Sequence, residues 1–322
     1  MSISAYASSV YLGLFRNIVF VETTNPSDER RLKSPSLAFS ARLAPFLTLI
    51  RIPNCLMIGL AVLVAETIGL GTLPNPTQAI FGFLTAFLLL AGTMMFNDIQ
   101  DVQVDRVNSP DRPIPSGKVT IRQAYGLSIV FSALALISSL VLGILTFLTA
   151  LVALALMAYY NTRGKKTGLL GNVVVSFNVA LPFFFGGLAV NSLRPLLFIF
   201  FLLAFLANTA REVAKGIVDV AGDSSKGIMT IAVAQGPKRA AELAAAFFAV
   251  AVLLSFLVPV FDQRVSVLYY PILVVADLGF LYSSYRLIRD PTATTVRKVK
   301  SQVLVWMVLG LVGFFMGGIP AL

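Results

Sequence analysis

Residues 77–117 read TQAIFGFLTAFLLLAGTMMFNDIQDVQVDRVNSPDRPIPSG. The first half is an apolar run without a charge, and it ends on Asn97 and Asp98, with Asp101 and Asp105 close behind. About twenty apolar residues in a helix cross a hydrocarbon core of ~30 Å. The stretch therefore predicts a membrane-spanning helix that delivers three carboxylates to one membrane surface.

Working outward, runs of the same kind recur at 45–69, 121–141, 144–160, 169–190, 195–211, 240–260, 266–286 and 301–320, which with 77–97 makes nine. Only Gly143 separates the third from the fourth, but together they are too long for one crossing and are read as two. The fold class expected is all-α, a polytopic bundle of about nine transmembrane helices. Composition agrees: 57% of the residues are hydrophobic and 12% charged, against about 25% charged in soluble domains. The chain contains no His, which excludes His-based acid–base chemistry and His-ligated zinc. One cysteine, Cys55, excludes a disulfide framework and iron–sulfur clusters. Any metal must be held by oxygen, which points to Mg²⁺, Mn²⁺ or Ca²⁺.

The 25 Lys and Arg against 15 Asp and Glu leave a net charge of +10. With a cytoplasmic N-terminus, the inner segments hold 23 of those 25 basic residues, and only Arg194 and Arg264 fall outside. The positive-inside rule then sets the N-terminus inside and the C-terminus outside the cell membrane. The basic excess is topology, and no nucleic-acid role follows from it. Residues 1–41 read as a cytoplasmic arm, with an amphipathic helix on the leaflet within 1–20 and a polar linker over 22–36. Residues 42–322 read as the intramembrane domain.

A second acidic string, REVAKGIVDVAGD at 211–223, follows the sixth run. Asn97, Asp101 and Asp105 recur at i, i+4 and i+8, as do Arg211, Lys215, Asp219 and Asp223, so each set falls on one helical stripe. Aligned with each other, the strings match Asp101 to Asp219, Val102 to Val220 and Asp105 to Asp223, while Asp98 falls on Gly216. This suggests a duplication of four helices plus a ninth, with both acidic faces at one cytoplasmic mouth. Like charges at this spacing call for a counter-ion. One reading is a pair of Mg²⁺ ions, which bind a few carboxylates together with substrate phosphates. The other is a set of solvated charges paired with Arg106, Arg112 and Lys226. Under the metal reading, a diphosphate with an apolar tail matches both the acids and the lipid-like interior. Arg112, Arg163, Lys165, Lys166, Arg211 and Lys215 lie on the correct side to offset its charge.

The string Asn97, Asp98, Asp101, Asp105, continued by Asn108, Pro110, Arg112, Pro113, Ile114, Pro115 and Gly117, resembles the first motif of the UbiA superfamily of intramembrane prenyltransferases. Asp219 and Asp223 resemble its second. The segments at 50–64, 160–172 and 211–223 are similar to an archaeal branch that attaches the second isoprenoid chain of ether lipids. That branch tends to carry an acid where Gly216 stands. The resemblance implies Mg²⁺ held by Asp98, Asp101, Asp105, Asp219 and Asp223, the catalytic acids, with Asn97 orienting the first cluster. It implies phosphate binding by Arg112, Lys165 or Lys166, Arg211 and Lys215, and Asn54 lining the pocket. The substrates implied are geranylgeranyl diphosphate and geranylgeranylglycerol phosphate, taken from the membrane lipid.

Tyr159, Tyr160, Phe177, Phe183, Phe184 and Phe185 are candidates to stabilise an allylic cation. Asp277 lies inside the eighth run and reads either as functional or as a hydrogen-bonded packing residue. Glu66 is expected at the outer interface. Two other functions stay open: prenylation of an aromatic acceptor, and solute transport by a duplicated bundle.

Overall fold

A computed structural model of the chain describes residues 35–225, 227–262 and 265–318. The amphipathic helix expected within 1–20, together with Lys226 and Arg264, lies outside the described residues. In chain order the helices are α1 (Pro35–Ile50), α2 (Ile52–Leu70), α3 (Pro76–Gln100), α4 (Val102–Asn108), α5 (Ile121–Leu142) and α6 (Ile144–Thr162). A 3₁₀ turn (Gly164–Thr167) leads to α7 (Leu169–Ala189), α8 (Pro195–Ser225), α9 (Ile231–Phe256), α10 (Val258–Phe261), α11 (Tyr269–Arg289) and α12 (Ala293–Gly318). Among the described residues, nine helices are long and apolar enough to cross a membrane: α2, α3, α5, α6, α7, α8, α9, α11 and α12.

Gly143 does separate the third span from the fourth; its φ of 134° closes α5 and opens α6. The first run is where expectation and structure part. Read as continuous from 45 to 69, it breaks at Arg51, whose backbone is left-handed (φ 57°, ψ 57°). Pro53 follows, and proline in the first turn suits a new helix start. The helix before the break begins at Pro35, so ordered helix starts before the expected boundary at 41/42. The sixth span is longer than its apolar run. Helix α8 continues to Ser225 and carries the whole second acidic string on one helix.

Lipid tails are as apolar as leucine, so helices in a bilayer associate through small residues and interhelical hydrogen bonds. That is how α3 meets α5: Ser128 Oγ donates to the Gly92 carbonyl at 2.8 Å. Helix α2 meets α7 where Gly186 lies against Ala65. The broadest packing is of α3 on α5 and of α8 on α9, equivalent pairs in the two proposed halves. The ninth span, α12, packs on α11, α8 and α2. At the end of the bundle opposite the acidic strings, Arg194 pairs with Asp262 and donates to the Ile68 carbonyl, clamping the loop before α8 to α2.

Candidate active site

The first acidic string does not form one unbroken helix. Helix α3 ends at Gln100, and Asp101 (φ −91°, ψ 1°) is shared between its end and the start of α4. Hydrogen bonds of helical spacing nonetheless run through the junction, from Asp101 N–H to the Asn97 carbonyl (3.0 Å) and from Asp105 N–H to the Asp101 carbonyl (2.8 Å). The acids therefore stay on one side. The proline-rich segment after α4 then folds back beneath them. Ile114 and Val119 are buried with Leu49 of α1 and Met95 of α3, and that packing brings Arg112 to the carboxylates. The Thr120–Gln123 capping box fixes where the loop ends and α5 begins.

Each acid of the first cluster meets a cation from a different part of the chain. Arg51 Nη2 stands 2.6 Å from Asp98 Oδ1, Arg112 Nη1 2.6 Å from Asp105 Oδ2, and Lys165 Nζ 2.6 Å from Asp101 Oδ2. Arg112 also lies 3.8 Å from Asp98. Asn97 Nδ2 donates to Asp101 at 3.0 Å and to Asp98 at 3.5 Å, tying neighbouring acids together. Burial alone would lower the affinity of Arg112 for its proton, but its hydrogen bond to Asp105 and the charges of Asp105, Asp98 and Asp101 more than offset this and raise it. Lys165 is driven the other way: burial lowers its pKa, and nearby Lys215 adds to that despite the pull of Asp101.

The turn that carries Lys165 ends on a glycine, Gly168 (φ 61°), and a Cβ there would lie 2.3 Å from the Met229 carbonyl oxygen. Lys166 and Arg163, on the same turn, are exposed.

The second string lies at the same mouth. Tyr160 on α6 is within electrostatic reach of Lys215, Glu212, Asp101 and Asp223, so it stands between the two motifs. Lys165 also sits 5.9 Å from the centre of the Tyr160 ring. Arg211 and Lys215 are both bonded to Glu212, at 2.9 and 3.2 Å. Asp219 is exposed and lies within reach of Lys215 and of Lys300 on α12. A Cβ on Gly216 would have Thr230 and Ala232, at the start of α9, as its nearest neighbours.

Beneath the mouth lies an inner chamber, with Asn54, Asn208, Arg211 and Glu212 among its lining residues and Phe185 in its apolar wall. An outer chamber shares Met57, Ile58, Val179 and Met307 with it and is lined by Phe183 and Phe314. Asp277 lines this outer chamber, and Ser255 Oγ donates to its Oδ2 at 2.8 Å. Tyr159 and Phe177 are exposed. Phe184 is partly buried and lines neither chamber.

Glu66 contradicts its expected place at the interface. It is fully buried, and neither carboxylate oxygen has a partner among the described residues. The reason is helix packing: Gly82 of α3 and Gly186 of α7 let their helices close over it. Arg51, Glu212, Lys300 and the bridging place of Tyr160 were not legible as site features in the sequence. Arg51 alone left a trace, as the charge inside an apolar run just before a proline.

The donor set is oxygen-rich and suited to Mg²⁺. Among the described residues no three acids form a finished cage; Asp98 and Asp105 instead share Arg112, and Asn97 joins Asp98 to Asp101. Position and chemistry fit a divalent cation, provided the protein's own cations turn outward toward a ligand anion.

A polytopic bundle with paired acidic strings above a lipid-like chamber is the architecture of an intramembrane prenyltransferase. The model of the UbiA prenyltransferase family matches residues 58–318, and the chain belongs to that family. Digeranylgeranylglyceryl phosphate synthase of Thermococcus kodakarensis is 33% identical over 274 residues, covering 85% of this chain and 98% of that one. The enzyme of the same name from Metallosphaera sedula is 34% identical over 279 residues, covering 86% and 96%. A solved structure described as digeranylgeranylglyceryl phosphate synthase in membranes superposes with a TM-score of 0.71 at 28% identity, over 86% of this chain and 99% of that one.

Proposed function

We propose that this protein transfers a geranylgeranyl group from its diphosphate to the free hydroxyl of geranylgeranylglycerol phosphate, forming the second ether bond of an archaeal-type membrane lipid. The observation that carries the proposal is the pairing of the two acidic strings with a large apolar chamber directly beneath them. The curated relatives named above carry that activity in their name. A UbiA homologue from Archaeoglobus fulgidus, alike in fold (TM-score 0.64, 21% identity, over 84% of this chain and 99% of that one), was solved with GPP and Mg²⁺.

Asp98, Asp101, Asp105, Asp219 and Asp223 would hold Mg²⁺, which when bound neutralises charge on the diphosphate as the allylic C1–O bond breaks. Asn97 holds Asp98 and Asp101 in register. Arg51, Arg112 and Lys165, now paired with acids, are the cations that turn to the leaving diphosphate. Each would exchange one carboxylate for a phosphate oxygen. The chamber keeps water from the allylic cation, with Phe185 within its walls. With no His in the chain, the hydroxyl proton goes to an aspartate or to the departing diphosphate. The mouth faces the cytoplasm and the C-terminus lies outside, by the distribution of basic residues.

The test is purified full-length protein in lipid vesicles with geranylgeranyl diphosphate, Mg²⁺ and an acceptor panel, with products read by mass spectrometry. Geranylgeranylglycerol phosphate is the preferred acceptor and its dephosphorylated alcohol a poor one. Preferential prenylation of 4-hydroxybenzoate or another aromatic would overturn the acceptor assignment.

A further inference from the structure

The two chambers meet at Met57, Ile58, Val179 and Met307, which line both, so the cavity has two branches. Helix α3, which carries the first acidic cluster, lines only the inner branch, through residues such as Thr85, Leu89 and Thr93. The outer branch is reached along α8 and α12, which pack on each other. On α12, Lys300, Leu304, Met307, Leu311 and Phe314 recur at spacings of three and four, which puts them on one face. That face runs from a cation at the mouth to the far wall of the outer chamber. Lys300 and Phe314 are about 21 Å apart along the helix axis at 1.5 Å per residue, a depth suited to a long isoprenoid tail. On α8, Lys215, Arg211, Asn208 and Ala204 make a similar descent.

At the top of this path stand three cations around one carboxylate. Glu212 accepts from Arg211 and Lys215, and Lys300 lies within electrostatic reach of all three. Asp219 is near as well, but in the proposed function its charge is committed to metal. The remaining balance is two positive charges, which a phosphate monoester at about −1.5 to −2 would neutralise. Arg211 Nε is buried without an acceptor among the described residues. A buried donor of this kind calls for a partner.

Resting on the proposed function, we infer that Arg211, Lys215 and Lys300 form the phosphate site of the acceptor lipid, separate from the diphosphate site, and that the acceptor's tail occupies the outer chamber. Glu212 is the positioning residue that holds Arg211 and Lys215 at that site. Two long-tailed lipids whose reacting ends must meet need tails that diverge, and the fork supplies the two branches.

The test is initial-rate kinetics of the full chain in vesicles, varying each substrate in turn. Lys300→Gln raises KM for geranylgeranylglycerol phosphate by about tenfold or more, as expected for loss of a charge-assisted hydrogen bond. It leaves KM for geranylgeranyl diphosphate unchanged, and lowers kcat/KM for the phosphorylated acceptor far more than for dephosphorylated geranylgeranylglycerol. Gly310 lines the outer chamber with open space where a Cβ would go. Gly310→Phe therefore shifts acceptor preference from a geranylgeranyl tail toward a geranyl tail by about tenfold, while the preferred donor length stays the same. An equal rise in donor KM for Lys300→Gln, no rise at all, or a shift in donor length for Gly310→Phe overturns the assignment. A wild type that prenylates no glycerol phosphate ends the proposed function and this assignment together. Wild-type turnover with unresponsive variants ends this assignment alone.

Discussion

The guanidinium of Arg51 stands 2.6 Å from Asp98 Oδ1, so the residue that breaks the first span in left-handed backbone (φ 57°) is also the partner of a buried acid of the first motif. Left-handed backbone costs a residue with a Cβ about 1–2 kcal/mol. Such strain persists where the surroundings over-determine it, and functional sites are a common place for it. Here the break aims a charge from the end of α1 into the mouth formed by α3.

Two substitutions separate the charge of Arg51 from its backbone. Arg51→Gly relieves the strained conformation but removes the charge, and Arg51→Lys does the reverse. Losing a hydrogen bond to a charged group costs about 1.5–3 kcal/mol. Accordingly kcat/KM is expected to fall about tenfold or more in Arg51→Gly and less in Arg51→Lys. An Arg51→Gly enzyme as active as wild type would show that the residue matters for chain direction alone.

The metal assignment predicts that Asp219→Ala costs turnover at least as heavily as Asp98→Ala, with little rescue by added Mg²⁺. The glycine aligned with Asp98 is a separate question. Gly216 points at Thr230, 3.6 Å from where its Cβ would lie. An aspartate there is thus directed at the start of α9, and Gly216→Asp is expected to lower the thermal midpoint without lowering the Mg²⁺ concentration for half-maximal rate. A clear drop in that concentration would mean that position 216 reaches the metal after all.

Glu66 and Gly82 form a packed pair across α2 and α3. A Cβ on Gly82 would come within 2.0 Å of Glu66 Oε1, and that carboxyl is enclosed on all sides. Gly82→Ala is expected to destabilise the protein by about 1–3 kcal/mol through overpacking. Adding Glu66→Ala restores much of the loss, seen as recovery of the thermal midpoint in detergent. A double variant less stable than Gly82→Ala alone would mean the buried carboxyl stabilises the bundle.

Orientation can be read with thiols. Cys55 is fully buried, so it adds little background and can be replaced for the assay. In intact cells, Thr72→Cys, exposed between α2 and α3, is expected to react with an impermeant reagent, and Lys118→Cys, exposed before α5, only after the cells are opened. Labelling of both from one side would contradict the crossing between them.

Nine apolar runs were legible because membrane spans announce themselves by length, and Gly143 was legible because no single crossing is as long as the two runs it divides. The acids were legible through their repeated spacing. What stayed hidden depends on contacts between distant segments. Lys300 joins Lys215 only because α12 packs on α8. Glu212 reads as one more charge beside an arginine until α8 is seen to bury it between two cations. Glu66 lies close enough to the end of a span to suggest an interface, and only the glycines facing it reveal the burial. The break at Arg51 was masked because the residues on both sides are equally apolar.

The central claim is that the acceptor's own hydroxyl oxygen captures the prenyl group released from the diphosphate. The measurement that tests it most directly uses geranylgeranylglycerol phosphate carrying heavy oxygen in its free hydroxyl. The substrate is turned over by the purified protein with geranylgeranyl diphosphate and Mg²⁺, and both products are weighed by mass spectrometry. The account predicts an ether product that retains the heavy oxygen and released diphosphate that contains none. Heavy oxygen in the diphosphate, or its loss from the ether product, would contradict it.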